Sequence, residues 1–211
     1  MKTNPPKLQL LAAVAFSLLI SFNEAAAQPP TERHTLILIS NGESMSTVGA
    51  DGITRLERAI QQARNLVNLP LSIPQYFAVW TFEGSSYIEW QGFSSATTTH
   101  LTLNSLQVGS GTSHPLAYAL CEAADRLLAY RQGTVTAQKM VYLLTDGEEN
   151  STPVGTQCYG PSSALDAPNF TPGSWEWKVR NKFATGNPNT PPASYSYPLV
   201  NLSNAWSGYI Q

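Results

Sequence analysis

Three short segments of this sequence carry small polar residues, glycines or a carboxylate directly after an apolar run or directly before a helical pattern. Together these segments limit the folds that the chain can adopt. The apolar run 35–39 leads into a loop of hydroxyl and glycine residues, and the run 141–144 leads into Asp146. A glycine loop at 109–112 precedes a helical pattern. In a parallel sheet such loops meet at one edge, which is where open α/β folds bind ligands. The sequence therefore predicts an α/β fold with a site at that edge.

The segments between these loops alternate between helical and extended patterns. Apolar side chains at helical spacing predict one helix over 52–68, with Asp51 as its N-cap, and a second helix over 115–130. Residues 76–82 and 87–93 are rich in β-branched and aromatic side chains, and the short turn between them predicts an antiparallel hairpin. The predicted fold is therefore Rossmann-like: a mostly parallel sheet with one antiparallel edge strand and with helices on both faces.

Two segments lack a regular pattern. The threonine-rich residues 97–99 are predicted to form a loop, and residues 150–211 form a long irregular segment rich in Pro, Ser, Asn and Trp. Within that segment, 174–183 is a short candidate for regular structure. The segment has too many aromatic side chains for a solvated tail, so we expect part of it to pack on the sheet. Trp175 and Trp177 are more typical of packing than of carbohydrate stacking, and both interpretations stay open.

The first residues of the chain have the pattern of a secretory signal peptide. Lys2 and Lys7 precede an apolar stretch at 8–22, and the small residues 25–27 form a typical cleavage site. We therefore expect a secreted or periplasmic protein without a membrane span after cleavage. An uncleaved anchor is the alternative, although the apolar stretch is shorter than the ~20 residues that a span needs. The predicted division of the chain is signal peptide 1–27, linker 28–34, α/β core 35–149, and an irregular insertion or incomplete end of the same domain at 150–211.

The composition argues against nucleic acid as a partner. Charged side chains make up 12% of the chain, against about 25% in an average globular protein, and the net charge is −2. Because the sequence has no cluster of Lys or Arg, it lacks the positive surface that neutralises phosphates. The expected partner is instead a protein of the periplasm or the exterior.

The chain has two cysteines, Cys121 and Cys158. An oxidising compartment makes a disulfide between them the expected state, with two free thiols as the alternative. The bridge would tie the predicted helix 115–130 to the segment that follows Asp146. Two cysteines without a Cys-x-x-Cys pattern do not support a zinc site.

The three loops resemble those of the von Willebrand factor type A domain, and the resemblance covers residues 35 to about 149. Loops of this family hold a divalent ion, usually with an Asp-x-Ser-x-Ser sequence in the first loop, and the resemblance implies a protein-binding or adhesion module. Mg²⁺ or Mn²⁺ would be held by hydroxyl and carboxylate oxygens, which suit hard cations. The metal ligands that the resemblance implies are Ser40, Ser44, Thr112 and Asp146. It implies no enzymatic activity.

The first loop departs from the family pattern at two of its three ligand positions. Ser40 stands where the family has an aspartate, and Gly42 stands where it has a serine. Because ligand charge holds a divalent ion, the lost carboxylate weakens the predicted site. A binding domain that needs no metal is the alternative. A hydrolase that uses Ser44, His114 and Asp146 is less expected, because the Gly-x-Ser-x-Gly elbow is absent.

Overall fold

The computed structural model describes residues 29–167 and 169–192, and the predicted signal peptide lies outside them. These residues form a sheet of four strands: β1 (Glu32–Ser40), β2 (Gln75–Glu83), β3 (Ser86–Ser94) and β4 (Ala137–Leu144). Their order is β3-β2-β1-β4, with β1 parallel to β2 and β4, and with β2 antiparallel to β3. The predicted sheet, mostly parallel with one antiparallel edge strand, is confirmed. Strand β1 begins within the predicted linker 28–34.

Helices cover both faces of the sheet, as predicted. In the described residues they are α1 (Arg55–Val67), α2 (Ala96–Ser105), α3 (Leu116–Ala129) and α4 (Trp175–Thr185). Successive side chains of a strand point to opposite faces. Leu36 and Leu38 of β1 therefore pack with α3 and α4, whereas Ile37 and Ile39 pack with α1 and α2. All four side chains are fully buried, which is why this strand reads as a continuous apolar run.

Helix α1 begins at Arg55 rather than at residue 52. Thr54 is its N-cap: the Thr54 hydroxyl accepts a hydrogen bond from the Glu57 backbone N–H at 3.2 Å, and the Glu57 carboxylate accepts one from the Thr54 N–H at 2.8 Å. This reciprocal pair, a capping box, satisfies two backbone donors. The prediction of Asp51 as the N-cap is therefore wrong. The Asp51 carboxylate instead pairs with Arg58 at 2.7 Å.

The threonine-rich residues 97–99 lie in helix α2, so the prediction of a loop there is wrong. The side chain of Ser95 caps the helix, and Gln91 of β3 donates a hydrogen bond to Thr99 Oγ1 at 2.9 Å. The helix buries only Thr99 and Leu103 among its residues. Its sequence therefore has no wide apolar stripe, and tertiary contacts override its weak local pattern.

Part of the segment after residue 150 belongs to the core. The predicted disulfide between Cys121 and Cys158 is present, with the Cα atoms 6.0 Å apart, and both cysteines are buried. Helix α4 packs on α3, and its Trp175 and Val179 belong to the same apolar cluster as the α3 side chains. The apolar core therefore includes side chains between residues 158 and 179. No helix in the described ranges is long and apolar enough to cross a membrane.

Candidate functional site

The three predicted loops meet at the carboxyl edge of the sheet, which we call the three-loop edge. The first and second loops are joined by two backbone hydrogen bonds, from Glu43 N to Gly111 O at 2.8 Å and from Gly109 N to Asn41 O at 2.6 Å. The first loop comprises residues 40–46, the second 109–114 and the third 145–150. The convergence expected from the sheet topology is observed.

His114 links all three loops. Its backbone N–H donates a hydrogen bond to Asn150 Oδ1 in the third loop at 2.7 Å. Its ring Nδ1 lies 3.2 Å from Ser40 Oγ at the start of the first loop. The ring also lies against Gly147, where any Cβ would overlap it. From the sequence, His114 is a candidate catalytic base or, because it precedes Pro115 at a helix start, a surface or capping residue. No local pattern indicates this linking role.

Each departure of the first loop from the family pattern has a structural counterpart. Ser40 is fully buried, and its hydroxyl is bonded to the imidazole of His114. At Gly42, a Cβ would lie 2.6 Å from the carbonyl oxygen of Gly111, which is well inside van der Waals contact. A serine at position 42 therefore has no room unless the second loop moves. The first loop is therefore closely packed with a serine at position 40 and a glycine at position 42, where the family has an aspartate and a serine.

The glycines of the second loop accommodate a carboxylate from the hairpin. Glu83, at the end of β2, accepts a hydrogen bond from the Gly111 N–H at 2.6 Å. A Cβ at Gly109 would overlap the Glu83 carboxylate. Beside it, Gly84 N donates to Ser113 O at 2.9 Å. Close packing against the hairpin therefore explains the glycine pattern of this loop.

Asp146 is paired with a cation of the chain itself. Its Oδ2 accepts a hydrogen bond from Arg55 Nη1 at 2.9 Å. The Asp146 side chain is 3% exposed and the Arg55 side chain is 45% exposed, so the guanidinium lies on the solvent side of the carboxylate. Charge-assisted hydrogen bonds of this kind are about twice as strong as neutral ones. Sequence reasoning missed Arg55, because no local pattern connects the first residue of α1 with a loop 91 residues later.

The remaining predicted ligand atoms have no such partner. Ser44 Oγ is buried and has no hydrogen-bond partner among the described residues, and the same holds for Asp146 Oδ1. Thr112 is exposed to solvent. The structure thus brings all four predicted residues to the loops of one edge, and it commits Ser40 and Asp146 to partners within the chain.

A divalent ion does not fit these residues as they are arranged. Mg²⁺ binds through one or two carboxylates in near-octahedral geometry, and Mn²⁺ prefers similar oxygen ligands. The one carboxylate of the predicted set, Asp146, is neutralised by Arg55, and the hydroxyl of Ser40 is bonded to His114. An ion at the unpaired Asp146 Oδ1 would share this one carboxylate with the Arg55 guanidinium, which already neutralises it. Ligation stays a prediction for Ser40, Ser44, Thr112 and Asp146.

The residues considered for a hydrolase are likewise bonded to other groups. The His114 ring is bonded to Ser40 rather than to Ser44, and Ser40 is fully buried. Asp146 is bonded to Arg55 rather than to the imidazole. A Ser-His-acid triad needs its base within hydrogen-bond reach of an accessible nucleophile and of the acid. Ser44, His114 and Asp146 do not have that arrangement.

No family model matches the sequence, and no curated protein matches it. Similar solved structures include an aerotolerance-related membrane protein from Bacteroides fragilis with multiple mutations to serines, which is 20% identical over 56% of this chain and 56% of that chain, with a TM-score of 0.46. BatB from Bacteroides thetaiotaomicron, a conserved hypothetical protein, is 19% identical over 44% of this chain and 45% of that chain, with a TM-score of 0.37. The chain spans about half the length of these two proteins.

A third similar structure is the vWF domain of the type V pili tip protein Mfa5 from Porphyromonas gingivalis. It is 14% identical over 78% of this chain and 56% of that chain, with a TM-score of 0.45. At such identities and TM-scores the similarities concern the fold alone and carry no argument about function. Apart from helix α2, the order of strands and helices from β1 to β4 is the one that the sequence resemblance implies. The fold of the described residues therefore resembles that of the von Willebrand factor type A domain.

Proposed function

We propose that this protein is an exported protein-binding module of the adhesion type, whose binding face is the three-loop edge and which needs no divalent ion. The observation that carries the proposal is the ion pair between Arg55 and Asp146, with 2.9 Å between Arg55 Nη1 and Asp146 Oδ2. In the resembled family an ion provides positive charge at this edge. Here a guanidinium provides it beside the one carboxylate of the predicted ligand set.

The pair between Arg55 and Asp146 balances the charge of the edge without an ion. A buried carboxylate without a partner is costly, and an opposite charge at hydrogen-bond distance offsets much of that cost. Because Arg55 is 45% exposed, its guanidinium is also accessible to a partner. Open α/β folds bind their ligands outside the carboxyl ends of the strands, which is where this guanidinium lies.

The three-loop edge is also preorganised. His114 bonds to the first loop through Ser40 and to the third loop through Asn150. A surface whose loops are already fixed loses little conformational entropy on binding, which favours affinity. Glu43 and Thr112 are exposed in the first and second loops and offer polar groups to a partner. These features support binding to another folded surface rather than catalysis.

Export is part of the proposal, and it rests on the signal-peptide pattern of residues 1–27. The disulfide between Cys121 and Cys158 agrees with an oxidising compartment. The partner would therefore be a protein of the periplasm or the exterior, and the sparse positive charge of the sequence argues against nucleic acid.

A site for Mg²⁺ or Mn²⁺ is the second candidate. It is favoured by two buried oxygens, Ser44 Oγ and Asp146 Oδ1, which have no hydrogen-bond partner among the described residues. Unpaired acceptors of this kind are uncommon in native structures. The two candidates predict different results for Arg55→Ala. If the edge is a protein-binding face without an ion, the substitution weakens partner binding. If the edge is an ion site, the substitution strengthens ion binding.

The proposal is tested by binding to a panel of immobilised extracellular and envelope proteins, with and without a chelator. Arg58→Ala is a matched control for Arg55→Ala, because Arg58 lies on the same helix and pairs with the exposed Asp51. We expect binding that survives the chelator, falls at least tenfold in Arg55→Ala and is unchanged in Arg58→Ala. Binding that the chelator abolishes, or that both substitutions weaken equally, would contradict the proposal.

A further inference from the structure

The end of the third loop and the segment that follows it form a cavity with the start of helix α4, which we call the α4 cavity. Its volume is about 190 Å³, and its walls include Glu149, Asn150, Tyr159, Ser162 and Trp175. Pockets for drug-sized ligands measure ~300–1,000 Å³, so the α4 cavity takes a ligand about the size of one ring. We propose that it binds one ring of a neutral carbohydrate.

The α4 cavity offers no free charge to an ionic ligand. Glu149 is the charged residue among its described walls, and each oxygen of this carboxylate already accepts two hydrogen bonds from the chain. One oxygen accepts from Ala117 N at 2.6 Å and from Thr152 Oγ1 at 2.7 Å. The other accepts from Ser151 N at 3.0 Å and from Thr152 N at 2.7 Å. The carboxylate repels anions and has its acceptor sites occupied, so the ligand that fits is neutral.

Three neutral polar groups of the walls are available to a ligand. Asn150 accepts the His114 N–H through Oδ1 at 2.7 Å, which leaves its amide NH₂ as a donor. The hydroxyls of Tyr159 and Ser162 have no hydrogen-bond partner within the described ranges, and both residues are exposed. Sugar hydroxyls both donate and accept hydrogen bonds, so they match an amide donor and two hydroxyls.

Aromatic rings form another part of the walls. Trp175 is 6% exposed, and its buried indole N–H has no acceptor in the part of the chain that the structure describes. Tyr159 adds a second ring, which is 42% exposed. Aromatic rings with polar groups beside them complement a sugar, which has an apolar C–H face and a polar rim. An unpaired buried donor costs stability, and a ligand oxygen within its reach would relieve that cost.

The walls are held in place before any ligand binds. Cys158, directly before Tyr159, is fixed to α3 by the disulfide with Cys121. A Cβ at Gly160 would lie 2.5 Å from Gly173 O, so the segment that carries the wall residues packs tightly against the start of α4. A preformed site has little ordering cost on binding, which makes recognition of a single ring feasible.

The test is saturation-transfer NMR of the purified protein with glucose, galactose, mannose and N-acetylglucosamine, each followed by a titration. Ser162→Ala and Tyr159→Phe each remove one hydroxyl from the exposed walls. Trp177→Phe is the matched control, because it changes an aromatic residue of α4 outside the cavity walls. We expect at least one sugar to bind the unmodified protein with a millimolar dissociation constant. The same sugar should bind at least tenfold more weakly to the double variant, which carries both Ser162→Ala and Tyr159→Phe. Its dissociation constant for Trp177→Phe should equal that for the unmodified protein.

The proposal would be overturned if none of the four sugars received saturation from protein whose NMR spectrum shows that it is folded. Sugar binding that the double variant retains would also overturn it, because the sugar would then bind elsewhere. N-acetylglutamine methylamide, measured in the same way, represents a peptide side chain, and tighter binding of this amide than of any sugar would refute a carbohydrate site. Because these variants leave Arg55 unchanged, their outcome is independent of the proposed protein-binding face.

Discussion

Replacing Gly42 by serine restores the residue type that the resembled family has in its first loop, and we predict that it destabilises the protein. A Cβ at this position would lie 2.6 Å from Gly111 O, whereas ordinary contacts begin near 3.4 Å. Gly111 O also accepts the hydrogen bond from Glu43 N at 2.8 Å, so the carbonyl cannot retreat without stretching that bond. Because the φ angle of Gly42 is −63°, the cost is steric rather than conformational.

The expected magnitude follows from these two contacts. Overpacking costs about 1–3 kcal/mol, and a weakened backbone hydrogen bond adds about 1 kcal/mol. A loss of about 2–4 kcal/mol lowers the melting temperature of a domain of this size by about 4–16 °C. Circular dichroism melts and urea titrations measure both quantities. The matched control is Gly92→Ser, since a Cβ there meets only the ends of the Arg126 and Glu89 side chains at 3.4 Å. A Gly42→Ser protein as stable as this control would refute the packing argument.

Three further predictions concern stability. Thr54→Ala removes the capping box of α1 and should cost about 1 kcal/mol, read as a lower urea midpoint; an unchanged midpoint would contradict the capping geometry. Replacing both Cys121 and Cys158 by serine opens a loop with a sequence separation of 37 residues. The chain-entropy relation predicts a loss of about 4 kcal/mol, and equal urea stability of the double variant and the oxidised protein would count against it. Burial lowers the pKa of His34 below 6.5, against the opposing effect of its hydrogen bond with Glu32. As the pH falls below about 6.5, the unfolded chain therefore takes up a proton that the folded chain does not, and stability present above that pH is lost. Urea midpoints measured from about pH 7 to about pH 5 should fall more steeply for the unmodified protein than for His34→Gln, and parallel curves would disprove this assignment.

The elements that could be predicted from the sequence are those whose local pattern reflects burial. Residues 36–39 of β1 and 141–144 of β4 are continuous apolar runs because helices cover both faces of the sheet. Helix α3 reads as a wide apolar stripe because it packs on the sheet and on α4. Helix α2 has no such stripe, and its contact with Gln91 comes from another element. The start of α1 is readable in principle, since Thr54 and Glu57 have the capping-box spacing, although Asp51 precedes them as a rival cap.

The partners of the site residues could not be predicted, because tertiary contacts determine them. Asp146 and Arg55 are separated by 91 residues, and Ser40 and His114 by 74 residues. A loop motif indicates which residues reach the edge of the sheet. It does not indicate whether a cation of the same chain lies beside them. In the same way, the sequence shows that Gly42 is a lost ligand, and the structure shows that a neighbouring carbonyl leaves no room for one.

The claim that the three-loop edge needs no divalent ion is tested most directly by thermal melts of the purified protein. The melts are recorded in a chelator and then in millimolar Mg²⁺ or Mn²⁺, for the unmodified protein and for Asp146→Ala. An ion at 100 times its dissociation constant adds about 2.7 kcal/mol, which corresponds to a rise of about 5–11 °C. We predict the same melting temperature of the unmodified protein in all three solutions. A rise of that size that disappears in Asp146→Ala would contradict the account, because it would mean that an ion binds at Asp146 despite the pair with Arg55.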